Sequence, residues 1–136
     1  MQMPTAKPLT KNQEAVLTQL RTADKPLSAY DILDHLSNSS IKAPQQIYRA
    51  LTALIKYGYV HKVESLNVFV ACTASKNEAH LHDDLIFLIC RSCNTVTETR
   101  STSLQKNCRR LAQSNDFEPE LERIEVHGTC SICANA

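Results

Sequence analysis

Residues 43–58 read APQQIYRALTALIKYG, and the interpretation of the N-terminal half depends on this stretch. Pro44 suits the first turn of a helix, where a missing N–H has no consequence. Gly58 suits the position just after a helix, where the backbone commonly turns left-handed. Between them, apolar residues recur at intervals of three and four and define one inward face, formed by Ile47, Ala50, Leu51, Leu54 and Ile55. We therefore predict an amphipathic helix over this stretch.

Two further helices are predicted upstream of this one. Thr10 and Gln13 have the spacing of a capping box at the start of a helix over about residues 11–22. Ser28, with Asp31 three residues later, starts a second helix. The buried face of this second helix is expected to consist of Ile32, Leu33 and Leu36.

Two short strands are predicted downstream, over residues 59–63 and 67–71, with a turn between them. Three helices followed by a hairpin is the order of elements in a winged helix-turn-helix domain. We therefore expect this fold for the N-terminal part of the chain.

The outward face of the third helix carries side chains that can read DNA bases. Gln45 and Gln46 suit adenine and Arg49 suits guanine in a major groove about 12 Å wide, which admits a helix. The first 63 residues have a net charge of +4, whereas residues 64–136 have a net charge of −3. Any small helical domain has a polar outer face, so these features alone favour DNA binding only slightly.

Four of the six cysteines form two C-x2-C pairs, Cys90 with Cys93 and Cys130 with Cys133, separated by 36 residues. Each pair offers two thiolates to one ion, and four sulfurs at about 2.3 Å complete a tetrahedral zinc shell without an open position. Two local disulfides or a redox pair are the alternatives, but a cytosolic chain keeps its thiols reduced. The two pairs therefore predict a four-cysteine zinc site.

The residues between the two pairs predict a small α/β domain. We expect a strand over residues 96–100, a helix beginning near Ser103, and a strand over residues 121–127 in which Ile124 and Val126 alternate with charged residues. The helix has one apolar face, formed by Leu104, Cys108, Leu111 and, at its end, Asn115. Cys108 is interpreted as a buried small hydrophobic residue.

A second set of metal-binding side chains falls in the hairpin, in the segment after it and in the strand after Cys93: His61, Cys72, His80, His82 and Glu98. Mixed nitrogen, sulfur and oxygen ligands across a domain junction suit a reversible site, because its occupancy would fix the angle between the domains. The sulfur of Cys72 favours zinc over iron or manganese. No local ligand signature is present, and exposed histidine and glutamate side chains are commonly only solvated, so the spacing leaves both interpretations open.

The composition excludes several function classes. The two glycines, Gly58 and Gly128, are too far apart for a dinucleotide, P-loop or nucleophile-elbow motif. The motifs of zinc proteases and nucleobase deaminases are also absent, so we do not expect an enzyme. The longest apolar run, residues 85–90, is far shorter than the roughly 20 residues of a membrane helix. The first residues lack the apolar core of a secretory signal, so we expect a cytoplasmic protein without a membrane or small-molecule partner.

Motifs along nearly the whole chain, from about Thr10 to Cys133, resemble the ferric uptake regulator (Fur) family of metal-dependent repressors. They comprise residues 43–51, 58–65, 67–72, 87–93 and 127–133. Within the family the chain is most similar to the zinc uptake regulators, for which the sequence HKVES at the hairpin and the single cysteine at position 72 are typical. The glycine that usually follows the first cysteine pair is replaced by Asn94, which also tolerates a left-handed conformation.

The resemblance implies an α+β chain with three parts. These are an N-terminal winged helix-turn-helix DNA-binding domain at residues 1–72, a hinge at residues 73–84, and a small C-terminal α/β dimerisation domain at residues 85–136. Matched position by position, the family pattern places a structural zinc on Cys90, Cys93, Cys130 and Cys133. The residues expected to bind DNA are Tyr30, Gln45, Gln46, Tyr48 and Arg49.

The resemblance also implies a second, sensory zinc held by His61, Cys72 and Glu98, with one of two histidines as the fourth ligand. The spacing from Cys72 favours His80, whereas the distance to Cys90 favours His82, so both are kept.

Together these expectations describe a homodimeric, zinc-responsive repressor with two zinc ions per chain. It binds a pseudo-palindromic operator in double-stranded DNA when its sensory site holds zinc. The alternatives are a sensor of iron, manganese or peroxide from the same family, or a DNA-binding protein whose only zinc is structural. The resemblance further implies that genes for zinc uptake are the targets.

Overall fold

The computed structural model describes residues 8–37, 39–72, 85–119 and 123–136, and these residues form two units that divide after Cys72. No helix within these ranges is long and apolar enough to span a membrane. The expected hinge at residues 73–84, with His80 and His82, lies outside the described residues.

The first unit begins with three helices: α1 (Lys11–Thr22), α2 (Ala29–His35) and α3 (Pro44–Lys56). Both predicted capping boxes are present. The backbone N–H of Gln13 donates to the Thr10 hydroxyl at 3.2 Å, and the N–H of Thr10 donates to the Gln13 side chain at 3.0 Å. Ser28 and Asp31 make the same reciprocal pair at 3.1 and 3.0 Å, and the Ser28 N–H lowers the pKa of Asp31. The sequence therefore encodes the start of α1 and α2 locally.

Helix α3 ends where Gly58 was predicted to end it. Gly58 has a φ of 83°, and its N–H donates to the carbonyl oxygen of Ile55 at 3.0 Å. The N–H of Tyr59 reaches back to the carbonyl oxygen of Leu54 at 2.9 Å. These two bonds form a Schellman motif, which satisfies the last carbonyl groups of the helix and turns the chain into the hairpin.

The core of the first unit is formed by the predicted apolar faces. Helix α3 buries Ile47, Ala50, Leu51 and Leu54, while Ile55 is half-buried at the edge. In α2, Ile32 and the C-cap residue Leu36 are buried, and Leu33 packs against the core from a half-buried position. Helix α1 contributes Val16, Leu17 and Leu20.

The hairpin that follows consists of β1 (Val60–Val63) and β2 (Val68–Ala71), paired antiparallel. Each strand begins one residue later than predicted, and before β2 the turn extends through Asn67, which has a φ of 52°. Leu27 adds an isolated bridge to β2, and its N–H and carbonyl oxygen bond to Phe69 at 3.1 and 2.8 Å. This bridge ties the segment before α2 to the hairpin and completes a winged helix-turn-helix unit.

The second unit is an α/β arrangement around a three-stranded sheet. Its elements are β3 (Leu85–Cys90), β4 (Val96–Arg100), α4 (Thr102–Ser114), β5 (Ile124–Gly128) and α5 (Ser131–Ala134). The central strand β3 pairs antiparallel with β4 and parallel with β5. The first residues of the strand predicted over 121–127 lie partly outside the described residues, and the observed strand starts at Ile124.

The prediction that Cys108 is a buried hydrophobic residue is wrong. Helix α4 has no buried residue, and Cys108 is half-buried. Leu104 and Leu111, on the same predicted face, are 37% and 66% exposed. A helical period identifies which face is apolar, but it does not show whether the same chain covers that face.

We expect Leu54→Ala to destabilise the first unit by about 2–5 kcal/mol, because Leu54 is fully buried and truncation leaves a cavity in the core. Thr52→Ala, at an exposed position of the same helix, is the matched control and should change the free energy of unfolding by less than about 0.5 kcal/mol. Urea denaturation of both variants measures the difference. Equal stabilities would contradict the placement of Leu54 in the core.

Candidate metal centres and nucleic-acid interface

The four predicted cysteine ligands meet at one end of the second unit. The sulfur atoms of Cys90, Cys93, Cys130 and Cys133 all lie within 4.8 Å of one another. Cys90 ends β3, Cys93 lies in the turn before β4, Cys130 precedes α5 and Cys133 lies within it. The sheet therefore brings together two pairs that are 36 residues apart in the sequence.

The turn that holds the first pair is closed by backbone hydrogen bonds. The N–H of Asn94 donates to the carbonyl oxygen of Cys90 at 2.8 Å, and the N–H of Cys90 donates to the carbonyl oxygen of Thr95 at 3.0 Å. Asn94 has a φ of 61°, so the expectation that asparagine adopts the left-handed conformation here is confirmed. The sulfur of Cys93 contacts the Thr95 hydroxyl at 3.0 Å.

The cysteines of this cluster differ in the pKa of their thiols. The backbone N–H of Cys130 donates to the sulfur of Cys90 at 3.3 Å and, with the N–H of Cys93, lowers the pKa of Cys90 to about 6. The Thr95 hydroxyl lowers the pKa of Cys93. The neighbouring sulfurs of Cys130, Cys93 and Cys90 raise the pKa of Cys133 to about 12. A fourth thiolate is thus disfavoured by the others unless a cation neutralises them.

The geometry of the cluster fits a tetrahedral zinc ion. Metal–sulfur bonds of about 2.3 Å in a tetrahedron place neighbouring sulfurs about 3.8 Å apart. The sulfurs of Cys93 and Cys130 are 3.8 Å apart. Four sulfur donors within 4.8 Å of one another can close such a shell, so the cluster suits a structural rather than an exchangeable or catalytic ion.

Two residues of the second predicted site lie together in the first unit. His61 is on β1 and Cys72 directly follows β2, and a ring nitrogen of His61 lies within 4.8 Å of the Cys72 sulfur. The backbone N–H of Cys72 donates to the carbonyl oxygen of Tyr59 at 2.8 Å, which holds the cysteine beside the hairpin. His61 is only 7% exposed and is the one buried polar residue among the described residues. An imidazole and a thiol at this separation are suitable ligands for one zinc ion.

Of the three other predicted ligands of the second site, only Glu98 lies within the described residues. Glu98 lies in the middle of β4 opposite Phe87, on the half-buried face of the strand, together with Val96 and Arg100. His80 and His82 lie outside the described residues, so the fourth ligand stays a prediction.

The expected DNA-binding residues are on the surface of the first unit. Tyr30 is 62% exposed and Tyr48 is 41% exposed, so both rings are available to a partner. Gln45 and Arg49 are also exposed. Tyrosine, glutamine and arginine side chains at the start of one exposed helix can contact both base edges and phosphates.

Gln46 differs from its neighbours because its side chain is half-buried and bonded to the backbone. Its amide oxygen accepts hydrogen bonds from the N–H of Lys42 at 2.8 Å and of Ala43 at 3.1 Å. The sequence analysis missed this cap. The sequence contains a signal for it, because glutamine at the third helical position can bond back to the N-cap N–H, and Ala43 at the N-cap has no side-chain acceptor of its own.

A winged helix-turn-helix unit followed by an α/β unit with a four-cysteine cluster is the architecture of a metal-dependent DNA-binding regulator. Residues 6–127 match the Ferric uptake regulator family. The chain is 35% identical over 126 residues to the Zinc uptake regulation protein of Escherichia coli (strain K12), and the match covers 92% of this chain and 72% of that protein. It is 28% identical over 128 residues to the Zinc uptake regulation protein of Mycobacterium tuberculosis (strain ATCC 25618 / H37Rv), covering 91% and 92%.

Two solved structures are similar over nearly the whole chain. The crystal structure of holo XcZur gives a TM-score of 0.86 at 36% identity and covers 97% of this chain and 90% of that one. A zinc uptake regulator complexed with zinc and DNA gives a TM-score of 0.81 at 34% identity, covering 94% and 84%. The chain belongs to the ferric uptake regulator family, and its similarity to the zinc uptake regulators within that family is confirmed.

We expect Cys93→Ser to remove the metal ion from the cysteine cluster and to destabilise the second unit, because a structural zinc contributes its binding energy to folding. Metal content per chain and thermal unfolding measure the two effects. Cys108→Ser is the matched control, since Cys108 is a thiol outside the cluster, and it should leave the metal content unchanged. A Cys93→Ser protein with full metal content and an unchanged melting temperature would contradict the assignment.

Proposed function

We propose that this protein is a zinc-responsive transcriptional repressor that binds a pseudo-palindromic operator as a homodimer when its sensory site holds zinc. The observation that carries the proposal is the proximity of His61 and Cys72 on the winged-helix unit, whose ligand atoms lie within 4.8 Å of each other, in addition to the four-cysteine cluster. A second zinc-binding pair on the unit that would touch DNA links metal supply to DNA binding. The role is regulatory rather than enzymatic.

The DNA-binding surface is formed by the exposed side of α3 and the start of α2. Arg49 and Gln45 are the proposed base readers, because arginine pairs bidentately with guanine and glutamine with adenine. Tyr48 and Tyr30 are exposed beside them and supply contacts to the backbone or to thymine methyl groups. The relative solved with zinc and DNA supports this use of the fold.

Zinc has two separate roles in the proposal, with two ions per chain. The cysteine cluster holds the structural ion, whose shell is complete and closed. The sensory ion is held by His61, Cys72 and Glu98 together with His80 or His82. The thiolate of Cys72 makes the mixed set selective, because soft sulfur favours zinc over iron or manganese.

Sensing operates as a shift between conformations. The proposed sensory ligands come from both units and from the hinge at residues 73–84, so an ion shared among them restricts the angle between the domains. Only a dimer in which the two recognition helices match successive major grooves binds the operator tightly. Zinc must therefore bind this closed form better than the open form, since equal affinity for both would change nothing.

The proposed homodimer forms through the second unit, where apolar surface is exposed. Among the described residues, the large exposed hydrophobic side chains of the first unit are Tyr30 and Tyr48, whereas the second unit exposes Leu88, Leu104, Leu111, Phe117, Val126 and Ile132. Leu88 and Val126 are direct neighbours across β3 and β5. Exposed apolar surface of this extent marks a protein–protein interface.

The proposal places the protein in the cytoplasm, where its thiols stay reduced and chromosomal DNA is accessible. Relatives named as zinc uptake regulation proteins support genes for zinc uptake as the targets. Repression of uptake under zinc excess is the simplest response for such a sensor.

We expect zinc to raise the affinity for operator DNA by roughly 5- to 150-fold, the range of typical allosteric coupling, and Cys72→Ser to abolish this rise. Operator duplexes are obtained by selection from a randomised pool, and affinity is measured by fluorescence anisotropy at fixed salt with and without excess zinc. Cys108→Ser is the control for the loss of a thiol and should respond as the wild type does.

An unchanged zinc response in Cys72→Ser would remove the sulfur from the sensory site and favour a sensor with nitrogen and oxygen ligands. Wild-type affinity that does not change on mild chelation would instead indicate a DNA-binding protein whose only zinc is structural.

We expect Leu88→Asp to shift the protein from dimer to monomer, weakening dimerisation at least about 10-fold, because a two-fold interface buries the changed residue twice. Analytical ultracentrifugation with the structural zinc retained measures the association. Ser103→Asp, an exposed polar position at the start of α4, adds the same charge without removing apolar surface and should remain dimeric. A dimeric Leu88→Asp protein would exclude this face from the interface.

A further inference from the structure

Helix α3 begins without a conventional N-cap side chain. Its N-cap residue is Ala43, which has an extended backbone but no side-chain acceptor, and the next residue, Pro44, has no N–H. The acceptor is supplied from inside the helix by Gln46, whose amide oxygen bonds to the N–H of Lys42 and of Ala43. Gln46, at the third position of the helix, therefore supplies one half of a capping box: its side chain bonds back to the N–H groups that precede the helix, while alanine at the N-cap leaves the other half unfilled.

These two hydrogen bonds restrict what Gln46 can do at a DNA surface. A carbonyl oxygen has two lone pairs, and both of those on the Gln46 amide already accept backbone N–H groups. Reading adenine bidentately would require the same oxygen to accept from the base. Gln46 would have to release the cap to do so, whereas Gln45 is exposed and its side chain makes no hydrogen bond within the described part of the chain.

The segment before α3 is held by a series of bonds that ends at Gln46. The Ser39 hydroxyl donates to the carbonyl oxygen of Leu36 at 2.6 Å and accepts from the N–H of Ile41 at 3.1 Å. The ammonium group of Lys42 donates to the carbonyl oxygen of Ser37 at 2.7 Å. Ile41 is 1% exposed and anchors the segment in the core. The Gln46 bonds connect this anchored segment to the first turn of α3.

We propose that Gln46 is a positioning residue, which fixes the first turn of α3 through its cap and so orients Gln45, Tyr48 and Arg49, rather than a residue that reads a base. The inference rests on the proposed DNA-binding function. It removes Gln46 from the residues that were predicted to contact DNA bases and gives it the role of holding the others in place.

The test compares four proteins with zinc bound: wild type, Gln46→Ala, Ala43→Ser/Gln46→Ala and Arg49→Ala. Ala43 already has the extended backbone of an N-cap, so serine at this position supplies a new acceptor for the first turn. Affinity is measured for a duplex selected by the wild type and for every single-base variant of it. Amide hydrogen exchange follows the N–H groups of Lys42 and Ala43.

The expected result is that Gln46→Ala weakens binding about fivefold for all duplexes alike, the effect of losing a typical cap, and accelerates exchange at Lys42 and Ala43. The added Ala43→Ser change should restore most of the affinity. Arg49→Ala, as the control for a reader, should instead lose discrimination at one operator position.

Two results would overturn the proposal while leaving the proposed function intact. One is a change of base preference at a single operator position in Gln46→Ala that Ala43→Ser does not restore. The other is an unchanged affinity in Gln46→Ala. If the zinc-loaded wild type selects no duplex, the proposed function itself fails, and the positioning role fails with it.

Discussion

The second unit depends on the meeting of four sulfur atoms, because it has little other material for a core. Every buried hydrophobic residue among its described residues lies on one strand, β3. A small sheet in which only the central strand is buried removes little apolar surface from water, and small units of this kind commonly need a further source of stability such as a metal. The cysteine cluster connects the end of β3 to the segment after β5, so an ion held there supplies free energy that the apolar contacts do not.

The same constraint explains the exposed surface that is left for a partner. The chain leaves β3 through β4 and α4 and returns as β5, parallel to β3, and Cys90 lies opposite Gly128 at the end of that pairing. The cysteine cluster thus lies at the point where this non-local, parallel strand pair ends. Leu88 and Val126 stay exposed on the same sheet, and in the proposed function they are available to a second copy of the chain.

The sequence predicted the elements whose cause is local. The capping boxes, the Gly58 turn, the cysteine spacing and the left-handed Asn94 all follow from the chemistry of a few neighbouring residues. The bridge from Leu27 to Phe69 was not predictable, since pairing of a single residue leaves no period. Cys108 was assigned wrongly because an apolar stripe is equally compatible with a core and with an interface. A metal site at His61 and Cys72 was one of two interpretations that the spacing left open, and the family resemblance favoured it.

In the proposed function, the two groups of ligands hold zinc differently, and this difference would allow one chain to use zinc both for folding and for sensing. Four thiolates form a closed shell whose loss would cost the fold, so that ion has to stay bound when zinc is scarce. An imidazole and a thiol beside the hairpin form an incomplete set that must recruit further ligands, so its ion is held less tightly. In the proposed function, the sensory ion therefore leaves first as zinc falls. DNA binding is lost while the dimer persists, and the protein can respond again when zinc returns.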